Sequence, residues 1–140
     1  MITAAWKPLD PDLDVFLTEF ERRSGNPESD SGEQFADQCL AADPKQAVMV
    51  SRDMLVAALP ARRKMFQDAG VGTVRCVQAA QLDLDEQHVL VTADWDAERT
   101  GGQNVRLEST FLLRREEDGP RILVYLNHRD VAALLFPDAR

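Results

Sequence analysis

The stretch "HVLVTADWDAERTGGQNVRLESTFLL", residues 88–113, decides how this chain is read. Val89, Val91, Ala93, Trp95 and Ala97 alternate with His88, Leu90, Thr92, Asp94, Asp96 and Glu98. That period of two belongs to a strand with one buried face. Thr100-Gly101-Gly102 suits a three-residue hairpin loop with glycine in the left-handed position. Folding back there sets Trp95 opposite Leu107, Ala93 opposite Ser109 and Val91 opposite Phe111. A slip of one residue would expose the whole apolar set, which argues for this register.

Two more strands flank this hairpin. Asp118-Gly119 reads as a two-residue turn, which sets Phe111 opposite Leu126, Leu113 opposite Val124 and Ser109 opposite His128. Taking Asp85-Glu86 as a turn sets Cys76 opposite Trp95, Gln78 opposite Ala93 and Ala80 opposite Val91. The four strands fall near 73–84, 88–99, 103–116 and 121–129.

Helical periods precede the strands. Asp10-Pro11 opens a helix that carries Leu13, Phe16, Leu17 and Phe20 on one face. Residues 24–32, "SGNPESDSG", are too polar and too rich in Gly, Pro and Ser to pack, and read as a mobile loop. A second helix is expected over 31–43, with Ser31 and Gln34 at capping-box spacing and Phe35 and Cys39 on its core face. "QAVMV" is a short strand. Ser51 caps a further helix, which Pro60 should kink or split and Gly70 should end. "DVAALLFP" supplies a final helical turn. Helices first and a meander of strands after them make a single α+β domain over residues 1–140.

Composition limits the function. The 140 residues carry a formal charge of −8, which argues against a nucleic-acid partner. "ARRK", 61–64, is the densest basic cluster and reads as a solvated helix face. No apolar run approaches the roughly 20 residues of a membrane span. "MITAAWKPLDPDLD" has no basic segment followed by an apolar one, so a cytoplasmic location is the expectation. Cys39 and Cys76 form no CxxC and His88 and His128 lie far apart, so no metal site and no cofactor are expected.

Two candidate sites follow from the registers. Asp94 and Asp96 look like a carboxylate pair around Trp95, but they fall on the face away from the helices, with Arg106, Arg114 and Arg129. The helix-facing side has one polar row, Gln78, Ala93, Ser109 and His128, beside Trp95 and Cys76. Such a row needs partners or water, and a cavity would open there. His128 is its one side chain able to exchange a proton near neutral pH. It is either a core histidine bonded to Ser109 and a helix carbonyl, or the general base of a pocket lined by Cys76, Gln78, Trp95, Ser109 and His128. On the other face Val77, Leu90, Leu112, Leu123 and Tyr125 form a semi-apolar patch that suits a two-fold homodimer.

The order of elements, with "HVLVTADW", the Gly-Gly hairpin and "ESTFLLRREEDGPRILVYLNHRD", resembles the nuclear-transport-factor-2-like superfamily, which includes SnoaL-like polyketide cyclases and ketosteroid isomerases. The resemblance spans about Asp10 to Asp130. It implies a curved antiparallel sheet wrapped on the N-terminal helices into a cone, a cystatin-like α+β barrel, often with a ligand cavity and often dimeric through the sheet. The family's chemistry is not matched. Pro120 stands where a Trp is usual before Arg121-Ile122, and Val50 and Ser51 stand where the isomerases place their catalytic Asp. Three functions remain open: a small-molecule-binding domain, a cyclase-, isomerase- or dehydratase-type enzyme using His128, and a dimeric interaction module with a filled core.

Overall fold

The computed structural model describes residues 5–26 and 30–137. Its elements in order are α1 (Pro11–Ser24), β1 (Phe35–Ala42), β2 (Ala47–Ser51), α2 (Arg52–Asp68), β3 (Val71–Asp83), β4 (His88–Arg99), β5 (Val105–Glu116), β6 (Gly119–Asn127) and α3 (Val131–Leu135). The strands form one sheet in the order β2-β1-β6-β5-β4-β3, antiparallel throughout except for the parallel β1–β6 pair. All three helices place apolar side chains in one core with the same sheet face.

The α+β class holds, but the curved antiparallel barrel does not. The sheet is mixed and open, with β2 and β3 as its two ends, and it is neither closed nor strongly curled. The outer edge of β3 is partly covered by the N-terminal segment, where Lys7 and Gln81 exchange backbone hydrogen bonds.

The helix expected over 31–43 is strand β1. Phe35 and Cys39, four residues apart, share a face in a strand as well as in a helix, so their spacing does not discriminate. Pairing with β2 on one side and β6 on the other decides the matter. Ser31 and Gln34 make no capping box: Ser31 donates to Glu33, and buried Gln34 donates to the Phe16 carbonyl of α1. Pro60 does not divide its helix either. α2 runs through it as one element, capped by Ser51, whose hydroxyl accepts from the Met54 N–H. Residues 27–29 of the expected mobile loop lie outside the described residues. On either side of them, Arg63 donates to the Gly25 carbonyl and Arg23 pairs with Asp30.

The central hairpin forms as expected, with Trp95 opposite Leu107, Ala93 opposite Ser109, Val91 opposite Phe111, and Gly101 at φ 74°. Both neighbouring strands leave the expected register at their turns, and each carries an irregularity further along. In β3 the loop is longer than two residues, because the Asp85 carboxylate accepts from the N–H groups of Gln87 and His88. Gln81 therefore faces Val91, and Gln78 faces Asp94; an irregularity between Cys76 and Gln78 then restores the expected Cys76–Trp95 pair. In β6 the turn is Glu117-Asp118, so Leu113 meets Ile122; a shift between Leu112 and Leu113 then sets Phe111 opposite Tyr125 and Ser109 opposite Asn127. One extra residue reverses the faces of everything beyond it. Gln81 and Tyr125 turn inward, and Gln78 and His128 turn outward.

Gln81 is fully buried at its inward position and ties α1 to the sheet. Its carbonyl oxygen accepts from the Asp10 N–H at 2.6 Å, and its amide donates to Asp10 at 3.0 Å and Asp83 at 2.8 Å. Arg115 of β5 completes the join by pairing with Asp10 and Asp12. Replacing Gln81 with Leu strands these groups, so urea unfolding should lose about 1–3 kcal/mol. An unchanged midpoint would show that the join carries no load.

Candidate functional site: a filled interior and a two-row apolar face

The five residues expected to line one pocket are distributed over both faces. Trp95 and Ser109 are buried at 6% and 2% exposure, and the Trp95 Nε1–H donates to the Ser109 hydroxyl at 2.8 Å. Each satisfies the other's polar atom without a ligand. The space beside them is taken by Phe20 of α1. Its ring centroid lies 5.0 Å from Phe111, 5.9 Å from Trp95, 6.0 Å from Tyr125 and 6.3 Å from Phe35. These separations are those of packed aromatic rings. Arg62 of the "ARRK" segment stacks over Phe66 and reaches Tyr125, so this basic residue partly belongs to the helix–sheet join.

His128 is exposed on the outer face. Its Nε2 lies 2.6 Å from the Thr110 hydroxyl, which donates to the Thr92 hydroxyl at 3.2 Å. The expected contact with Ser109 is absent because the β6 bulge sets Asn127 there instead. Gln78 is likewise outward and exposed.

Cys76 is half-buried beside a cleft of about 370 Å³ between α1 and β3, lined in part by Leu17, Thr18, Glu21, Val77 and Gln78. Glu21 reaches across it to accept from the Cys76 N–H at 2.6 Å. Burial pushes the Cys76 thiol up from its ordinary value, and Glu21, Asp94 and Asp14 add to that. The thiol stays protonated near neutral pH and is a poor nucleophile.

The outer face, uncovered by any described helix, carries the more regular feature. Directly opposed pairs link Leu82, Leu90, Leu112, Val124, Leu40 and Met49 into one apolar row crossing all six strands. The adjacent row is Ala80, Thr92, Thr110, Leu126, Ala42 and Ala47. Met49 is 59% exposed, and Leu82, Leu90, Leu112, Val124 and Leu40 are half-buried. Of the patch expected from the sequence, Leu90 and Leu112 lie in this row. Tyr125 is inside, packed on Phe111 at 5.1 Å, while Leu123 occupies the bulge and Val77 the irregularity of β3. Leu40, Val124 and Leu126 were hidden from sequence reasoning by the helix assigned to 31–43 and by the undetected bulge.

Polar rows bound the apolar pair. On one side His88 opposes Arg114, and Arg114 opposes Arg121. On the other Gln78 opposes Asp94, and Asp94 opposes Glu108. Among the described residues, no ion pair engages Asp94 or Glu108. The expected Asp96–Arg106 opposition is present, and Asp96 also accepts from Asn104 at 3.1 Å.

Ser109→Ala should remove about 1–3 kcal/mol by orphaning the indole N–H, and should shift Trp95 emission. His128→Gln should change stability by less than about 0.5 kcal/mol and leave that emission alone. A His128 effect matching that of Ser109 would put the histidine back in the core.

No family model matches the chain, and no curated protein is significantly similar to it. Solved structures share its fold. An NTF-2-like protein of unknown function from Shewanella oneidensis has a TM-score of 0.66 at 15% identity, over 84% of this chain and 96% of that one. An NTF-2-like protein with a cystatin-like fold from Novosphingobium aromaticivorans has a TM-score of 0.68 at 11% identity, over 87% and 84%. A putative ketosteroid isomerase from Parabacteroides distasonis has a TM-score of 0.61 at 12% identity, over 88% and 89%. Identities this low speak for fold and not for chemistry. The chain shares the fold of these NTF-2-like proteins.

Proposed function

We infer that the chain is a non-catalytic interaction domain that works as a homodimer joined through its outer sheet face. The observation that carries this reading is the unbroken apolar row from Leu82 to Met49, with a second row of small and apolar side chains beside it. Six strands spaced about 4.8 Å apart and the two apolar rows spaced about 6.8 Å apart give an apolar band on the order of 400 Å² per copy, which the polar rows beside it extend. Stable interfaces bury about 800 Å² per partner. Two such sheets can pack face to face with aligned strands. His128 as a general base is not carried forward, because the histidine is exposed on the face opposite the core.

Light scattering at micromolar concentration should return twice the 15.7 kDa chain mass, and Leu112→Arg should return the chain mass while keeping the folded circular-dichroism spectrum. A monomeric parent protein would remove this reading.

A second reading rests on the cleft between α1 and β3. Its volume of about 370 Å³ suits a small ligand, for which sites of about 300–1,000 Å³ are usual. Asp14 and Glu21 on its wall favour a small amine over an anion. Titrating small amines should shift the amide resonances of Thr18 and Cys76 together. If those resonances stay still, the cleft is only a surface groove.

A further inference from the structure

Lys7 shows how the outer edge of β3 takes up an added strand. Its N–H donates to the Gln81 carbonyl at 2.9 Å, and its carbonyl accepts from the Gln81 N–H at 2.8 Å. Its ammonium pairs with Asp10, just before α1, at 3.5 Å and with Asp83 of β3 at 3.0 Å. Two residues along the same edge a similar set of groups recurs. In an antiparallel ladder every second residue turns both backbone groups the same way, so Ala79, like Gln81, points its N–H and carbonyl away from β4. They face the cleft between α1 and β3, where no described strand pairs with them. Asp14, one helical turn beyond Asp10, stands on the opposite wall and makes no ion pair among the described residues. Glu21 spends one oxygen on the Cys76 N–H, and no described Lys or Arg lines the cleft.

We propose that this cleft docks an extended peptide segment carrying a basic side chain, which adds to the β3 edge at Ala79 as Lys7 does at Gln81. This rests on the reading of the cleft as an amine site and adds the backbone that carries the amine. One residue of the segment exchanges two backbone hydrogen bonds with Ala79. Positions two apart along a strand share a face, so its side chain leaves on the same side as that of Lys7, toward Asp14 and Glu21. Leu9 and Leu17 offer apolar surface to the residues beside it. The Glu21 carboxylate on the Cys76 N–H closes the far end of the open edge, so the run Val77 to Ala79 admits about three residues. Strand addition draws affinity from main-chain bonds and specificity from the side-chain walls. Acidic walls without a cation select a basic segment over an acidic one.

The probe is the capped tripeptide acetyl-Val-Lys-Val amide, followed through the amide resonances of the labelled protein. It should shift Ala79, Thr18 and Cys76 together, and bind at least about tenfold more tightly than acetyl-Val-Glu-Val amide or butylamine. Methylating the backbone nitrogen of the peptide lysine should remove its advantage over butylamine. Asp14→Asn should weaken the lysine peptide and leave the glutamate peptide no weaker. Ala79→Pro deletes the edge N–H, a change that edge strands tolerate, and should abolish peptide binding while the circular-dichroism spectrum stays that of the parent. Should that variant fail to fold, the N-methylated peptide makes the same test on the parent protein. A lysine peptide that binds no better than butylamine, or equally well when N-methylated, overturns strand addition and spares the amine reading. Resonances that stay still with both the peptide and butylamine would sink both.

Discussion

A strand offers its side chains to two faces in strict alternation, and one inserted residue reverses the assignment for everything beyond it. This chain uses that reversal on both sides of its central hairpin. Without the shift beside Leu123, Tyr125 would leave the core and His128 would enter it. Without the irregularity at Val77, the half of β3 that meets Trp95 could not share a sheet with the half that turns Gln81 inward. The composition of the core, the join to α1 and the continuity of the outer apolar rows all follow from these two places.

On the inner side the consequence is a closed accounting. Phe20 meets four aromatic rings, Trp95 donates to Ser109, and Gln81 divides its amide between Asp10 and Asp83. Among the described residues, no buried side-chain nitrogen or oxygen lacks a partner. Polar groups satisfied in this way hold a structure in place and make no demand for a ligand. On the outer side the same shifts align apolar residues from strands far apart in sequence, and no described helix covers them.

The parts legible in the sequence were those fixed by local pattern. The alternation from Val89 to Ala97 and the Gly101 turn specify β4 and its register against β5, although β5 opens at Val105 and not at 103, and α1 follows from Leu13, Phe16, Leu17 and Phe20. The parts that were not legible depend on partners elsewhere in the chain. Phe35 and Cys39 fit a helix face and a strand face equally, and only the pairing with β6 separates the two. Asp118-Gly119 carries the signal of a two-residue turn, yet the turn lies one residue earlier, with Gly119 opening β6 at φ 122°. The bulge at Leu123 falls in "ILVYL", where every residue is apolar or aromatic and no alternation exists to betray it. The candidate pocket was assembled from registers that crossed both shifts, so Trp95 and Ser109 stayed together while Gln78 and His128 left.

The register of β5 against β6 can be measured directly. Cross-strand backbone nuclear Overhauser contacts in a labelled sample should join Phe111 to Tyr125, Leu113 to Ile122 and Ser109 to Asn127. Contacts joining Phe111 to Leu126, Leu113 to Val124 and Ser109 to His128 would remove the bulge. They would return the histidine to the core face and break the apolar row on which the proposed outer interface rests.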